Sequence, residues 1–176
     1  THAHYDDEQF DTDRDALLRG MAEQNVGTII NVGASLEGCW RSVELAHQYP
    51  FVYAAVGIHP DEVGDLNEES FARLRETARM EEKVVAIGEI GLDYHWDVQP
   101  HEVQKYWFVK QMELAKELNL SNIFVTGTIE KLPETVGEQK VIATCRYENK
   151  EGQKHLLADA NVSAIALIYE NETAAL

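Results

Sequence analysis

An apolar run that ends in glycines and carboxylates lies between residues 84 and 94, where the sequence reads VVAIGEIGLDY. Its first four residues are continuously apolar, which is typical of a parallel strand covered on both faces. A strand at Val84–Ile87 would place Glu89 and Asp93 at its carboxyl end, the edge at which βα barrels carry their active sites. The alternative is a glycine-containing loop that holds an ordinary surface carboxylate.

Short apolar runs alternate with amphipathic stretches throughout the first 120 residues. This pattern predicts strands at Thr28–Val32, Val52–Val56 and Val84–Ile87. It predicts helices at Asp13–Gln24, Leu36–Gln48, Glu68–Met80 and Glu102–Leu118. Such alternation indicates βα units around a parallel sheet. Because the chain has 176 residues and a complete eight-stranded barrel needs about 250, we predict an α/β fold that is the front half of a TIM-like βα barrel.

The alternation of strands and helices ends near residue 122, and the residues after it are predicted to form mainly strands. We expect these at Ile123–Ile129, Val141–Tyr147, Gln153–Leu157 and Ala164–Tyr169, with a hairpin turn at Glu148–Gly152. The predicted division is therefore a half-barrel at 1–122 and an unassigned β-rich tail at 123–176. Half a barrel leaves open sheet edges, so we expect the tail, an oligomeric partner or a different packing to cover them.

Composition and charge restrict the class of protein. The chain is 44% hydrophobic and 26% charged, and its formal net charge is −16. No apolar run approaches the roughly 20 residues that span a bilayer, so no membrane association is expected. Cys39 and Cys145 lie far apart and form no CxxC pair, which favours a reducing, cytoplasmic setting. The acidic charge repels nucleic acid at long range, so a phosphodiester substrate would require metal ions or a local basic patch.

Histidines supply two further signals. The chain opens with THAH at residues 1–4, and on a strand His2 and His4 would point the same way, as a divalent metal requires. Histidines near a terminus are also common on surfaces without a metal. The sequence VGIHP at 56–60 places His59 at the end of a predicted strand, although a histidine before proline is often only structural.

Taken together, these stretches resemble the TatD family of metal-dependent deoxyribonucleases, within the amidohydrolase-like barrels. Four segments carry the resemblance: THAHYDD at 1–7, NVGAS at 31–35, AAVGIHPDEV at 54–63 and AIGEIGLDYHWD at 86–97. They occur in order and at spacings suited to βα units. The resemblance extends from Thr1 to about Leu120 and does not include the tail.

The resemblance implies a divalent metal ion, Zn, Mg or Mn, with three ligands: His2, His4 and Glu89. Glu89 and Asp93 would be the catalytic residues, and His59 and Tyr94 would bind the substrate. The implied reaction is hydrolysis of the phosphodiester bonds of DNA, or of another phosphoester substrate. Metal ions in such sites neutralise the phosphate, generate hydroxide and stabilise the leaving oxygen.

The resemblance weakens after the fourth predicted helix. Val125 occupies the position at which the family has its next metal-binding histidine, and no later ligand of the family is matched. His155 or Asp159 could supply a missing metal ligand if the tail folds over the strand ends. Two interpretations therefore remain: a metal-dependent hydrolase with an incomplete site, or a catalytically impaired or inactive βα scaffold with a binding or assembly role.

Overall fold

Seven parallel strands form one sheet in the computed structural model, which describes residues 2–125, 141–146 and 162–168. The strands are β1 His2–Ala3, β2 Ile29–Val32, β3 Val52–Val56, β4 Val84–Gly91, β5 Ser121–Val125, β6 Val141–Arg146 and β7 Val162–Ile168. Each strand pairs with the next one along the chain, in the order β1-β2-β3-β4-β5-β6-β7. The predicted parallel α/β architecture is confirmed.

One α-helix connects each of the first four strands to the next. These helices are α1 Arg14–Gly20, α2 Leu36–Gln48, α3 Glu68–Met80 and α4 His101–Leu118. The Ser35 side chain caps α2 by accepting from Gly38 N, and Asn67 forms a capping box with Ser70 at the start of α3. These caps satisfy amide groups that a helix N-terminus leaves without partners. The predicted bounds of α2 and α3 are confirmed.

Helix α1 and strand β4 differ in length from their predictions by four residues or more. Helix α1 ends at Gly20 rather than Gln24, because glycine is a poor helix former and the following turn closes with Val26 N donating to Met21 O. Strand β4 continues to Gly91, four residues beyond the predicted Ile87. Glu89 therefore lies inside a strand and not in a glycine-containing loop.

The extension of β4 depends on the close approach of β5. Ile90 pairs with Phe124 and Gly91 with Val125, after a register shift between Ile87 and Ile90. A Cβ on Gly88 would lie 2.5 Å from the Ile123 Cβ, which real Cβ atoms essentially never show. Glycine at position 88 therefore permits the strand contact that holds Glu89 at the edge of the sheet.

Apolar side chains cover both faces of the sheet. The larger cluster lies between strands and helices and includes fully buried Ile29, Val56, Leu74, Ile87 and Met112. A second, smaller cluster takes one residue from each of four successive strands: Val32, Ala55, Ala86 and Ile123. Burial on both faces explains why these strands read as continuous apolar runs in the sequence.

Part of the predicted tail lies in the described residues. Strand β5 spans the boundary predicted between 122 and 123, and β6 and β7 extend the same parallel sheet. The predicted hairpin turn at Glu148–Gly152 and the strand at Gln153–Leu157 lie outside the described residues. The division into two segments and the covering of open edges by an oligomer stay predictions. In the described ranges, no helix has the length and apolar character needed to cross a membrane.

Candidate metal centre

Three side chains converge at the carboxyl ends of β1 and β4. The Nε2 atoms of His2 and His4 lie 3.1 Å apart, and Glu89 Oε2 lies 3.9 Å from the first and 3.6 Å from the second. A point equidistant from three atoms at these separations is about 2.1 Å from each, which matches zinc–nitrogen and zinc–oxygen bond lengths. The three groups therefore fit a single divalent cation.

The orientation of His4 is fixed by a backbone group. Its Nδ1 lies 2.7 Å from the carbonyl oxygen of Val32. Since a carbonyl only accepts, Nδ1 carries the proton and Nε2 presents its lone pair to the triangle. Such a partner fixes both tautomer and ring position for metal binding. No sequence pattern identifies a backbone carbonyl, so this partner was not predicted.

The electrostatics of the group disfavour charge on its own members. Burial and the nearby His4 lower the pKa of His2 from 6.5 to about 4. Burial raises the pKa of the Glu89 carboxyl, although His4 opposes the shift. The first effect keeps His2 neutral, as a metal ligand must be. The second means that the described residues compensate an ionised Glu89 only in part, and a bound cation would supply the rest.

A buried asparagine supports the segment that follows β1. Asn31 is fully buried on β2. Its Oδ1 accepts from Tyr5 N at 2.6 Å, and its Nδ2 donates to Asp6 Oδ1 at 2.7 Å and to Ser42 Oγ at 2.9 Å. Asn31 thereby fixes the chain directly after His4. The sequence contained a signal for this role, since an amide inside the apolar run IINV must find partners when buried.

A second group lies at the ends of β3 and β4. One ligand atom from each of His59, Asp61 and Asp93 falls within 4.8 Å of the others. Asp61 N donates to His59 Nδ1 at 3.2 Å, and Asp93 is only 1% exposed. This group has one imidazole and two carboxylates, whereas the group around Glu89 has two imidazoles and one carboxylate. Asp61 was not predicted as a site residue, although the motif that contains His59 includes it.

The structure places Tyr94 on the loop after β4. Its ring stacks on that of His101, at the start of α4, with centroids 3.7 Å apart and an angle of 12° between the planes. Tyr94 is half-buried, and the contact orients the base of the β4–α4 loop. Its predicted role in substrate binding stays a prediction.

A cleft of about 410 Å³ opens beside His4. Half of its ten lining residues are acidic, and all except Glu62, which follows β3, come from the segments after β1 and β2: His4, Asp6, Asp7, Glu8, Ala34, Ser35, Glu37, Gly38, Arg41 and Glu62. Arg41 donates to Glu37 Oε1 at 2.6 Å and to the carbonyl of Asp6 at 3.3 Å. The cleft gives a ligand access to the exposed side of His4.

The six residues predicted for the site divide into three places. His2, His4 and Glu89 form the first group, His59 and Asp93 belong to the second, and Tyr94 lies on the adjoining loop. Val125 ends β5, where it pairs with Gly91 and Thr144. His155 and Asp159 lie outside the described residues, so their predicted replacement of a ligand stays a prediction.

The chain is similar to known proteins over most of its length. A sequence model of the family described as "TatD related DNase" matches residues 1–152. The chain is 45% identical over 120 residues to the "Uncharacterized metal-dependent hydrolase YabD" of Bacillus subtilis (strain 168), which covers 68% of this chain and 47% of that protein. It is 38% identical over 112 residues to the "3'-5' ssDNA/RNA exonuclease TatD" of Cronobacter sakazakii, which covers 64% and 42%. The chain therefore spans about half the length of the curated relatives it matches.

Solved structures support the same assignment. The TatD homologue YJJV of Escherichia coli K12 superposes with a TM-score of 0.66 at 32% identity, over 89% of this chain and 54% of the other. A TatD-family hydrolase of Entamoeba histolytica superposes with a TM-score of 0.76 over 94% and 71%, and at 18% identity it shows the fold alone. The predicted resemblance and the half-barrel fold are confirmed. The chain belongs to the TatD family of DNases.

Proposed function

We propose that this chain is a metal-dependent hydrolase of phosphodiester bonds in DNA, with His2, His4 and Glu89 as metal ligands. The observation that carries the proposal is the triangle of their ligand atoms, whose sides of 3.1, 3.6 and 3.9 Å suit one divalent ion. The family match and a relative named as an exonuclease support the reaction class. Divalent metal ions are the cofactor class that both the ligand group and the family support.

Each ligand has a defined task in this proposal. The Val32 carbonyl holds His4 in the tautomer that presents Nε2. Burial keeps His2 neutral at physiological pH, and Glu89 supplies the negative charge that a dication requires. When bound, a divalent ion polarises the phosphate and lowers the pKa of a bound water.

The second group would act on the substrate. His59 Nδ1 accepts a hydrogen bond from Asp61 N, so Nε2 of the neutral ring carries the proton. Asp93, almost fully buried within the same group, would orient this imidazole. Tyr94 on the adjoining loop would complete the substrate-binding edge.

A reducing compartment, such as the cytoplasm, suits the proposed hydrolase. Cys39 is a free, fully buried thiol between the amide and carbonyl of Gly57. Burial raises its pKa to about 12, so this thiol is unreactive and acts as a core residue.

The experiment is a cleavage assay on a 5′-labelled single-stranded DNA with manganese or magnesium. We expect cleavage that requires the metal, stops on chelation and falls at least about a hundredfold in Glu89→Gln, because the carboxylate ligand is lost. The matched control is Glu117→Gln. Glu117 lies in the last turn of α4, near the end of the sheet at which the strands begin, and pairs with Arg75. The control should cleave at the rate of the unchanged chain.

Two outcomes would contradict the proposal. Cleavage that persists in both variants would assign the activity to other residues or to a contaminant. Absence of metal-dependent cleavage in the unchanged chain would instead favour the scaffold interpretation.

A further inference from the structure

The candidate ligand His4 lies just beyond the end of its strand. Strand β1 is two residues long and pairs with β2 through His2 with Ile30 and Ala3 with Asn31. His4 is the first residue after this ladder, so the pairing of the strands does not by itself fix its backbone. The geometry of the metal centre therefore depends on the contacts that hold residues 5–7, which are called the 5–7 turn below.

Arg14, at the start of α1, holds this turn from one side. Its guanidinium donates from Nε to the carbonyl oxygen of Tyr5, and from Nη2 to that of Asp7 at 2.8 Å. The same Nη2 donates to Asp11 Oδ1 at 2.7 Å. The side chain is 22% exposed, so water has limited access to these bonds. A planar guanidinium presents its donors in a fixed fork, and here the fork matches two carbonyls that lie two residues apart.

Arg41, on α2, reaches the carbonyl between those two. Its Nη1 donates to Asp6 O at 3.3 Å, and its Nη2 donates to Glu37 Oε1 at 2.6 Å, one turn earlier on the helix. Helix α2 passes close to the 5–7 turn, since a Cβ on the buried Gly38 would lie 2.8 Å from Asp6 Oδ2. The three consecutive carbonyls of the turn thus each accept from an arginine, two from α1 and one from α2.

The charge of these arginines gives their role a testable sign. Arg41 lines the cleft that opens beside His4. Like charges repel, so a guanidinium raises the free energy of a divalent cation bound nearby. Its hydrogen bond to the 5–7 turn has the opposite effect if the turn keeps His4 in place. Removal of the charge would therefore strengthen metal binding through electrostatics and weaken it through loss of position.

We propose that Arg14 and Arg41 are positioning residues for the metal ligand His4. They hold the 5–7 turn, so that His4 Nδ1 stays on the Val32 carbonyl and Nε2 faces the other two ligands. Both guanidinium groups act through backbone atoms and need not touch substrate. The proposal rests on the proposed function, because His4 is a metal ligand only there.

The first experiment uses the metal-free chain. A two-bond proton–nitrogen correlation spectrum at about pH 8, where an ordinary imidazole is neutral, shows which ring nitrogen carries the proton. The His4 signals are assigned by their loss in His4→Gln. In the unchanged chain we expect the proton on Nδ1, because Nδ1 donates to the Val32 carbonyl. In Arg14→Gln we expect a mixture of both tautomers, because the loosened turn no longer keeps the ring on that carbonyl.

The second experiment is a calorimetric titration with manganese. Arg14→Gln should lower the affinity about tenfold or more, the usual loss when a group that supports a metal ligand is removed. Arg41→Gln should lower it less, because its bond to the turn, at 3.3 Å, is longer and weaker. Arg14→Lys should recover part of the loss, since an ammonium keeps the charge but not the fork.

Arg19→Gln is the matched control. Arg19 also lies on α1, and its Nε donates to both carboxylate oxygens of Asp15, at 2.9 and 2.8 Å. Both of these side chains are exposed. The control should leave the His4 tautomer and the manganese affinity unchanged. A loss equal to that of Arg14→Gln would assign the effect to the charge of α1 and would overturn the positioning role.

The results separate this proposal from the proposed hydrolase activity. An unchanged chain that binds no manganese would contradict the hydrolase, while the tautomer in the metal-free chain would still decide the role of the arginines. A single Nδ1–H tautomer in both Arg14→Gln and Arg41→Gln would overturn the proposal, as would manganese affinity that is unchanged or higher in both. If circular dichroism shows that Arg14→Gln is unfolded, Arg41→Gln and Arg14→Lys decide by the same two measurements.

Discussion

At the amino edge of the sheet, where its strands begin, the Lys83 ammonium donates to four carbonyl oxygens. At the carboxyl edge, where the strands end, the described residues place two imidazoles near the buried Glu89. The four acceptors of Lys83 lie at 2.7–3.1 Å and belong to Ala46, Tyr49, Pro50 and Val52. The two nitrogen atoms near Glu89 Oε2 lie at 3.6 and 3.9 Å. The described residues therefore compensate the first charge more fully than the second.

This difference separates stability from function within one sheet. Lys83 joins the end of α2 and the start of β3 to the start of β4, so its bonds hold βα units together. Glu89 raises the free energy of the folded chain unless a cation binds, since burial of a carboxylate is unfavourable. Parallel βα folds commonly place function at the carboxyl edge and stability at the other. Substitution of Lys83 should therefore lower the free energy of unfolding and leave metal affinity unchanged. Substitution of Glu89 should lower metal affinity without lowering the free energy of unfolding.

The largest effect is expected at Glu89. Glu89→Gln should lower manganese affinity about a hundredfold or more in calorimetric titration, because a neutral amide replaces the anionic ligand. In urea unfolding of the metal-free chain, the same variant should be as stable as the unchanged chain or more stable by about 1 kcal/mol, since an uncompensated buried charge is removed. Loss of stability with unchanged affinity would reverse the roles of the two edges.

Lys83→Met should produce the complementary result. The methionine retains an unbranched apolar chain but leaves four carbonyls without their donor, so the free energy of unfolding should fall by about 2 kcal/mol. Manganese affinity should stay within about twofold of the unchanged chain. Lys83→Arg is the control, because it keeps the charge and several donors and should recover part of the loss. A Lys83→Met chain that lost metal binding at full stability would show that the edges are coupled.

Asp93→Asn tests whether the two groups of side chains at the carboxyl edge act separately. The amide oxygen can still accept from His95 N, so the loop should keep its conformation. The substitution removes one carboxylate from the group around His59, and turnover on DNA should fall about tenfold through loss of orientation. Manganese affinity should not change, because the ligand triangle lies on other residues. A parallel fall in affinity would mean that the two groups bind metal together.

The smallest effect is expected at Tyr49, whose hydroxyl donates to Asp15 Oδ1 at 2.6 Å at the amino edge. The hydrogen bond from the Arg19 guanidinium, and then this bond from Tyr49, lower the pKa of Asp15 in the folded chain. A depressed carboxyl pKa stabilises the fold above the unfolded value and ceases to do so as the pH falls through the folded value. Thermal unfolding of Tyr49→Phe should therefore show a small deficit in stability from pH 5 to 8 that shrinks as the pH falls below about 4. A deficit of the same size above and below about pH 4 would exclude the carboxylate as its cause.

Local sequence patterns sufficed for the elements whose limits depend on near neighbours. The bounds of α2, α3 and β3 agree with their predictions, because apolar periodicity and caps such as Ser35 and Asn67 act within a few residues. The end of β4 did not follow from such a pattern. It depends on pairing with β5, which lies more than 30 residues further along the chain.

The candidate site divides in the same manner. Short motifs sufficed to predict the family, the order of the βα units and the residue types that meet at their carboxyl ends. The folded structure was needed to show that the Val32 carbonyl orients His4, that Asp61 lies with His59 and Asp93, and that Lys83 donates to four carbonyls. Apart from that between His59 and Asp61, these contacts join residues 28 or more positions apart. The sheet register that brings them together depends on packing along the whole chain, which no single stretch of sequence encodes.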